Sequence, residues 1–211
     1  MNFDAVIDRI AERVETLLKC PVIPLEASGR HVHLSAEAIK KLFGENHSLT
    51  HVSDLSQSGQ YVCKERLKLT GPKGGFPAVV VLGPQRNETQ IEISATDAVA
   101  LGINAPIRLS GNISGTPGAK LTGPAGELEV NNGVIVAQRH IHMTPEDAGK
   151  WNLKDGQSVD VRVFAKRAVT FHSVILRVSP DFKTFMHIDY DEANACGFTK
   201  GTAGIIVNDS I

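Results

Sequence analysis

Two short segments hold the most concentrated chemistry of this chain, Arg30-His31-Val32-His33-Leu34-Ser35 and Arg139-His140-Ile141-His142-Met143-Thr144. Half of the eight histidines lie in them. Side chains of an extended strand alternate faces, so His31 and His33 share a face that Val32 does not, and His140 and His142 repeat this. On a helix, residues two apart diverge by roughly 200° and could not meet on one ligand. Imidazoles presented in pairs are metal donors, and the competing role is that of hydrogen-bonded interface histidines. Recurrence of the pattern, with Arg before it and a hydroxyl residue after it, favours the metal.

Two further residues join this set. Glu92 stands between Ile91 and Ile93 on a predicted strand and faces away from their apolar layer. His187, in Thr184-Phe185-Met186-His187-Ile188-Asp189, shares a face with Phe185 and Asp189. As a lone strand histidine it would read as a satisfied core residue. With His31, His33, Glu92, His140 and His142 it completes five imidazoles and one carboxylate. That donor set suits zinc or another late first-row metal rather than calcium or magnesium. Six protein ligands exceed what one open site needs, so two metals with three ligands each, completed by solvent or substrate, fit the count. Arg86 follows the turn Gly83-Pro84-Gln85, where its fork could hold a phosphate or carboxylate through two parallel hydrogen bonds. His47, His51 and His172 lack such context and read as surface or packing residues.

The elements that must position these groups are mostly strands. Tyr61 to Leu69, Ala78 to Leu82, Gln90 to Ser94, Ile107 to Leu109, Val134 to Ala137, Ser158 to Phe164, Val169 to Val178 and Phe185 to Asp189 are rich in β-branched residues and bounded by turn formers. Val22 to Ala27 is extended as well. Such spacing predicts a mainly β chain of small barrels with short capping helices, not one open α/β sheet. Each His-x-His segment runs into a helix start. Ser35 caps Ala36 to Phe43, with Gly44 as its stop, and Thr144 caps a helix opening on Pro145, Glu146 and Asp147. Leu69-Thr70-Gly71-Pro72-Lys73-Gly74 recurs as Leu121-Thr122-Gly123-Pro124-Ala125-Gly126, and Gln-Arg follows each at Gln85-Arg86 and Gln138-Arg139, which suggests a duplicated β unit. Asn104 to Gly118 reads as a loop-rich crossing. At the N-terminus, Phe3, Val6, Ile7, Ile10, Val14, Leu17 and Leu18 fall at helical spacing, predicting an amphipathic helix over 1–19 that serves oligomerisation or targeting.

Composition narrows the partners. Lys and Arg (22) nearly balance Asp and Glu (23), which gives no basic field for nucleic acid. Three widely spaced cysteines without a CxxC pair fit a reducing cytoplasm. No apolar run approaches the roughly 20 residues of a membrane span. Walker and Rossmann glycine fingerprints are absent, which argues against an ATP or NAD enzyme. Exposed apolar helix faces point to a homo-oligomer.

Gly29 to Ser35, Leu82-Gly83-Pro84-Gln85-Arg86 with Gln90 to Ile93, Gln138 to Met143 and Met186 to Asp189 together resemble the PduL family of phosphate propanoyltransferases. The resemblance covers nearly all of the chain after the first helix. It implies conversion of acyl-CoA and phosphate to acyl phosphate and CoA on two small β-barrels with a two-zinc site between them. One barrel would comprise 20–29 with 138–211, the other 30–137. Zinc would be held by His31, His33, Glu92, His140, His142 and His187, and phosphate by Arg86. Asn194 matches a family position near metal and CoA. The extended Leu25 to Ser28 segment, including Ala27, would offer backbone groups to pantetheine, and Lys68 or Lys73 would meet the nucleotide phosphates. Many members work in bacterial microcompartments, so the first helix could be an address within the cytoplasm.

The chemistry agrees with that implication. Phosphate is already largely a dianion near neutral pH and needs positioning more than deprotonation. Direct attack on the acyl carbon then needs no covalent acyl-enzyme, with Cys196 as the rival nucleophile. A two-metal hydrolase and a non-enzymatic metal-binding microcompartment module are the competing readings.

Overall fold

The computed structural model describes residues 21–207, preceded by the helical positions Phe3, Val6, Ile7 and Ala11. The rest of the predicted 1–19 helix, and Cys20, lie outside the described residues. In chain order the elements are β1 (Val22–Ser28), β2 (His31–His33), α1 (Ala36–Phe43), β3 (His51–Asp54), β4 (Tyr61–Thr70), β5 (Gly75–Gly83), β6 (Gln90–Ile93), α2 (Ala95–Leu101), β7 (Ile107–Arg108) and β8 (Ala119–Thr122). They continue as β9 (Glu127–Val130), β10 (Val134–Ala137), β11 (His140–Met143), α3 (Pro145–Lys150), β12 (Ser158–Phe164), β13 (Val169–Val178), β14 (Phe185–Asp189), α4 (Tyr190–Cys196) and β15 (Ala203–Val207).

Six strands close a barrel in the order β1-β14-β11-β13-β12-β15. The others form a curled half-barrel sheet in the order β7-β10-β6-β2-β5-β4-β8-β9, with β3 paired to β4. The mainly β architecture with short helices matches the patterning. Its cause is visible in β4, where Cys63, Glu65, Leu67 and Leu69 point inward while Lys64, Arg66 and Lys68 face out. Leu67 and Leu69 are fully enclosed, and each such side chain contributes about 1.5–3 kcal/mol. The centres of the two His-x-His strands, Val32 and Ile141, enter separate apolar cores, one under each sheet.

Each sheet borrows one strand across the boundary. β1 precedes β2 in the chain yet lies in the barrel, parallel to β14. β10 precedes β11 yet lies in the other sheet, parallel to β6. The chain thus crosses between sheets at Gly29-Arg30 and at Gln138-Arg139, immediately before each His-x-His strand. The two halves repeat one arrangement beyond these crossings. β2 is antiparallel to β6 and parallel to β5, and β11 is antiparallel to β14 and parallel to β13.

The repeated Leu-Thr-Gly-Pro turns also acquire a role. The amide of Lys73 donates to the carbonyl of Leu101 at the end of α2, and that of Ala125 to Leu42 at the end of α1. Each turn therefore satisfies an orphan carbonyl at a helix C-terminus. A Cβ on Gly71 or Gly123 would lie 2.4 or 2.3 Å from those same carbonyl oxygens, so only glycine permits the approach. Beyond the expected elements the structure adds α2 and α4, and β3, β8, β9 and β15. The helices were marked by Ser94 with Asp97 and Asp189 with Glu192, both capping boxes in the structure, and by Gly102 and Gly197 in the left-handed conformation at their ends.

Candidate active site

His31, His33 and Glu92 come together because β2 and β6 are antiparallel with His31 directly opposite Glu92. Their donor atoms lie within 4.8 Å of one another, and all three residues are buried. The Nδ1–H of His31 donates to the carbonyl of Gly29 at 2.8 Å, which leaves Nε2 to face Glu92 Oε2 at 3.5 Å. Glu92 Oε1 accepts from Gln90 Nε2 at 2.5 Å and from the Ser110 hydroxyl at 2.9 Å. Such outer partners fix the orientation of metal-type ligands.

The second group repeats the first. In the β11–β14 pair His140 stands opposite His187, the place that Glu92 takes across from His31. His140, His142 and His187 likewise present donor atoms within 4.8 Å of one another. His140 Nδ1–H donates to the Gln138 carbonyl at 2.8 Å, matching His31. Phe182 packs on His142 with ring centroids 4.1 Å apart. From the β3–β4 connection, Gln57 Nε2 reaches His187 Nε2 at 3.0 Å, and the Ser56 hydroxyl donates to Glu26 at 2.5 Å.

The arginines that precede the His-x-His strands serve as anchors. Arg30 makes two hydrogen bonds to Asp97 at 3.0 and 2.6 Å, and Arg139 reaches Glu192 at 2.7 Å. Asp97 and Glu192 are the third residues of α2 and α4, so one carboxylate both closes a capping box and ties down a ligand-bearing strand.

Both groups open on one cleft of about 1020 Å³ between the sheets, a volume at the upper end for a small-molecule site. Arg86 lines it, and its Nη1 donates to Ser110 at 3.1 Å, so Ser110 links this guanidinium to Glu92. Ser110 sits in the segment predicted to be a plain crossing, and nothing local in the sequence marks it. Ala27 and Ser28 line the cleft, whereas Lys68 and Asn194 do not. Lys68 lies one strand out from the cleft-lining Ala78, Val80 and Leu82, and Asn194 one turn along α4 from cleft-lining Tyr190. Cys196 is buried in the barrel core, its thiol directed to the Ala193 carbonyl at 3.4 Å and its pKa raised by burial. The remaining histidines are held by carboxylates, His47 by Glu65, His51 by Asp54 and His172 by Asp160.

Burial governs the protonation of these groups. It pushes the His33 and His187 pKa values down to about 3 and lowers His142 and His140 too, with the neighbouring histidines and Arg177 adding repulsion for most of them. Glu92 is buried yet held well below the usual carboxylate range by His31, and His31 is raised in return: burial opposes its charge, but the charge and hydrogen bond of Glu92 and the Gly29 carbonyl together outweigh that. Four imidazoles thus stay neutral, the form that ligates a metal. His33 Nδ1 and both ring nitrogens of His142 are buried with no hydrogen-bond partner. Each orphan costs about 1–3 kcal/mol, and a metal ion would satisfy one nitrogen of each ring. The residues fit a divalent metal in both groups.

A pH dependence follows for metal-free protein. In the unfolded chain these histidines titrate near 6.5, above their folded values, so the unfolded state binds more protons in the interval between. Stability therefore falls as pH drops below about 6.5. His31 opposes this, since its raised pKa contributes stability below 6.5, but it is one group against four. Thermal unfolding of chelator-treated protein is expected to show a falling midpoint from about pH 7 to pH 5, and a level or rising midpoint would contradict it.

The fold and cleft define a mainly β protein in which two metal-type donor groups and an arginine share one cleft. The family model for phosphate propanoyltransferase matches residues 24–199. The phosphate propanoyltransferase of Clostridioides difficile is 55% identical over 96% of this chain and 97% of its own. Those of Salmonella typhimurium and Thermotoga maritima are 50% and 46% identical, over 83% and 98% of this chain and 83% and 99% of theirs. The chain belongs to the phosphate propanoyltransferase family and is a phosphate acyltransferase. The non-enzymatic module is thereby set aside.

Proposed function

We propose that this enzyme interconverts a short-chain acyl-CoA, propanoyl-CoA or acetyl-CoA, and phosphate with the acyl phosphate and CoA. The observation that carries this reading is the meeting of two three-residue donor sets and Arg86 on one cleft. Zinc, two per chain, is the occupant that five imidazoles and one carboxylate favour, with His31, His33 and Glu92 on one ion and His140, His142 and His187 on the other. When bound, such ions supply Lewis-acid polarisation for the thioester carbonyl and a partner for the departing thiolate.

The chain's own residues do the rest. Arg86 orients phosphate and offsets part of its charge, with Ser110 holding the guanidinium in place. A phosphate oxygen attacks the acyl carbon, the new C–O bond forms, the C–S bond breaks, and CoA leaves as thiolate. Cys196 takes no part, being buried outside the cleft. Among the described residues no strand pairs with the second edge of Glu26 to Ser28, which leaves backbone groups at Ala27 and Ser28 for pantetheine. Lys68 and Asn194, beyond the cleft, would meet the nucleotide end of CoA. We assign domain boundaries at 29/30 and 137/138, where the chain changes sheets. The N-terminal helix is an oligomerisation or targeting element, and the enzyme works in the cytoplasm or inside a bacterial microcompartment. Phe3 and Ile7 are 73% and 60% exposed, as a docking face requires.

The test joins elemental analysis of protein purified without chelator to thiol release from propanoyl-CoA and acetyl-CoA, with and without phosphate. Two zincs per chain and strictly phosphate-dependent release are expected. Phosphate-independent release would make the protein a hydrolase and overturn the reading.

A further inference from the structure

Arg177 carries an inference of its own. It lies on β13, directly beside His142 in the parallel register of β11 and β13, and it lines the cleft. Its guanidinium faces the Phe182 ring at 5.9 Å. Among the described residues it forms no ion pair, and neither does Arg86, whereas Arg30 and Arg139 each have a carboxylate. Burial lowers the Arg86 pKa, the nearby Glu92 opposes that, and the positive charge of Arg177 adds to the lowering; Arg177 also acts on His140, His142 and His187.

The two arginines occupy nearby but not identical places in the internal repeat. β5 and β13 are the parallel neighbours of the two His-x-His strands, and Arg86, just past the end of β5, bridges to Ser35, two residues beyond His33. Each sheet thus brings to the same cleft one guanidinium that, among the described residues, has no directly bonded carboxylate. Two half-buried like charges within mutual influence repel, and the arrangement is sustained when an anion sits between them. A phosphate dianion matches both the charge and the paired fork geometry.

We propose that Arg177 is a substrate-contacting residue, the second arm of a clamp that with Arg86 holds the phosphoryl group that reacts with the acyl carbon. This rests on the reading of the cleft as the phosphate-dependent transfer site. The phosphates of CoA share the same chemistry, and the experiment separates the two sources.

Steady-state thiol release is measured for Arg177→Gln and Arg177→Lys with phosphate and propanoyl-CoA varied in turn, and phosphate binding to the metal-loaded proteins is followed separately by calorimetry. For Arg177→Gln, a rise of about 10- to 100-fold in KM and Kd for phosphate is expected, with KM for propanoyl-CoA changing less than about twofold. Arg177→Lys should recover only part of the loss, since an ammonium lacks the fork. A rise confined to propanoyl-CoA would assign Arg177 to the CoA phosphates and overturn the proposal. Unchanged constants for both substrates would do the same. Should Arg177→Gln fail to fold by circular dichroism, Arg177→Lys decides: an unchanged phosphate Kd overturns the clamp. Wild-type protein lacking phosphate-dependent turnover would defeat the reading of the cleft instead, and is recognised before any variant is compared.

Discussion

Glu92→Gln is expected to remove one metal equivalent and reduce turnover by at least about 100-fold, a lower bound set by the 10- to 100-fold typical of outer-shell changes. Glu92 is the sole carboxylate in the two donor groups and stands opposite His31. The amide keeps the shape but loses the charge that holds His31 and Glu92 in their perturbed states. With its carbonyl oxygen kept on the Gln90 and Ser110 donors, which share Oε1, the amide turns its NH2 to the Oε2 position beside His31 Nε2, where a metal ligand is needed. The His140, His142 and His187 group, on the other sheet, should keep its ion. Elemental analysis with thiol-release kinetics checks both parts, and a variant retaining two equivalents would show that His31 and His33 suffice.

Arg86→Ala is expected to raise KM for phosphate by about 10- to 100-fold, the worth of one charged hydrogen bond of about 1.5–3 kcal/mol. It should lower kcat as well, because the Ser110 link that joins Arg86 to Glu92 is lost. Arg86→Lys should restore charge but not paired hydrogen bonding, and so only part of the rate. Initial rates at varied phosphate and fixed acyl-CoA measure this. A phosphate KM unchanged in Arg86→Ala would detach Arg86 from phosphate.

Much of the framework was legible because its signals are local. Ser35, Thr144 and Pro145 marked helix starts that the structure holds, with side-chain caps at Ala38 and Asp147. The strands Val134–Ala137, Ser158–Phe164, Val169–Val178 and Phe185–Asp189 emerged from their β-branched runs. α2 and α4 did not, because seven-residue helices leave too few turns for a periodic pattern, and their capping boxes went unread. The Leu-Thr-Gly-Pro repeat was visible, but its purpose was not. It depends on carbonyls of helices that are distant in sequence.

The residues themselves determined that two pairs of imidazoles would share faces, since strand alternation follows from backbone geometry alone, and that the donor set would be nitrogen-rich. Only the tertiary structure decided how the donors are grouped. Glu92 joins His31 and His33, and His187 joins His140 and His142, because antiparallel registers set them directly opposite. Register is fixed by hydrogen bonds between strands far apart in sequence and by the two cores beneath them. The same non-local pairing brings Ser110 to Glu92 and Arg177 beside His142, two residues that no local pattern distinguishes from an ordinary loop serine and an ordinary strand arginine.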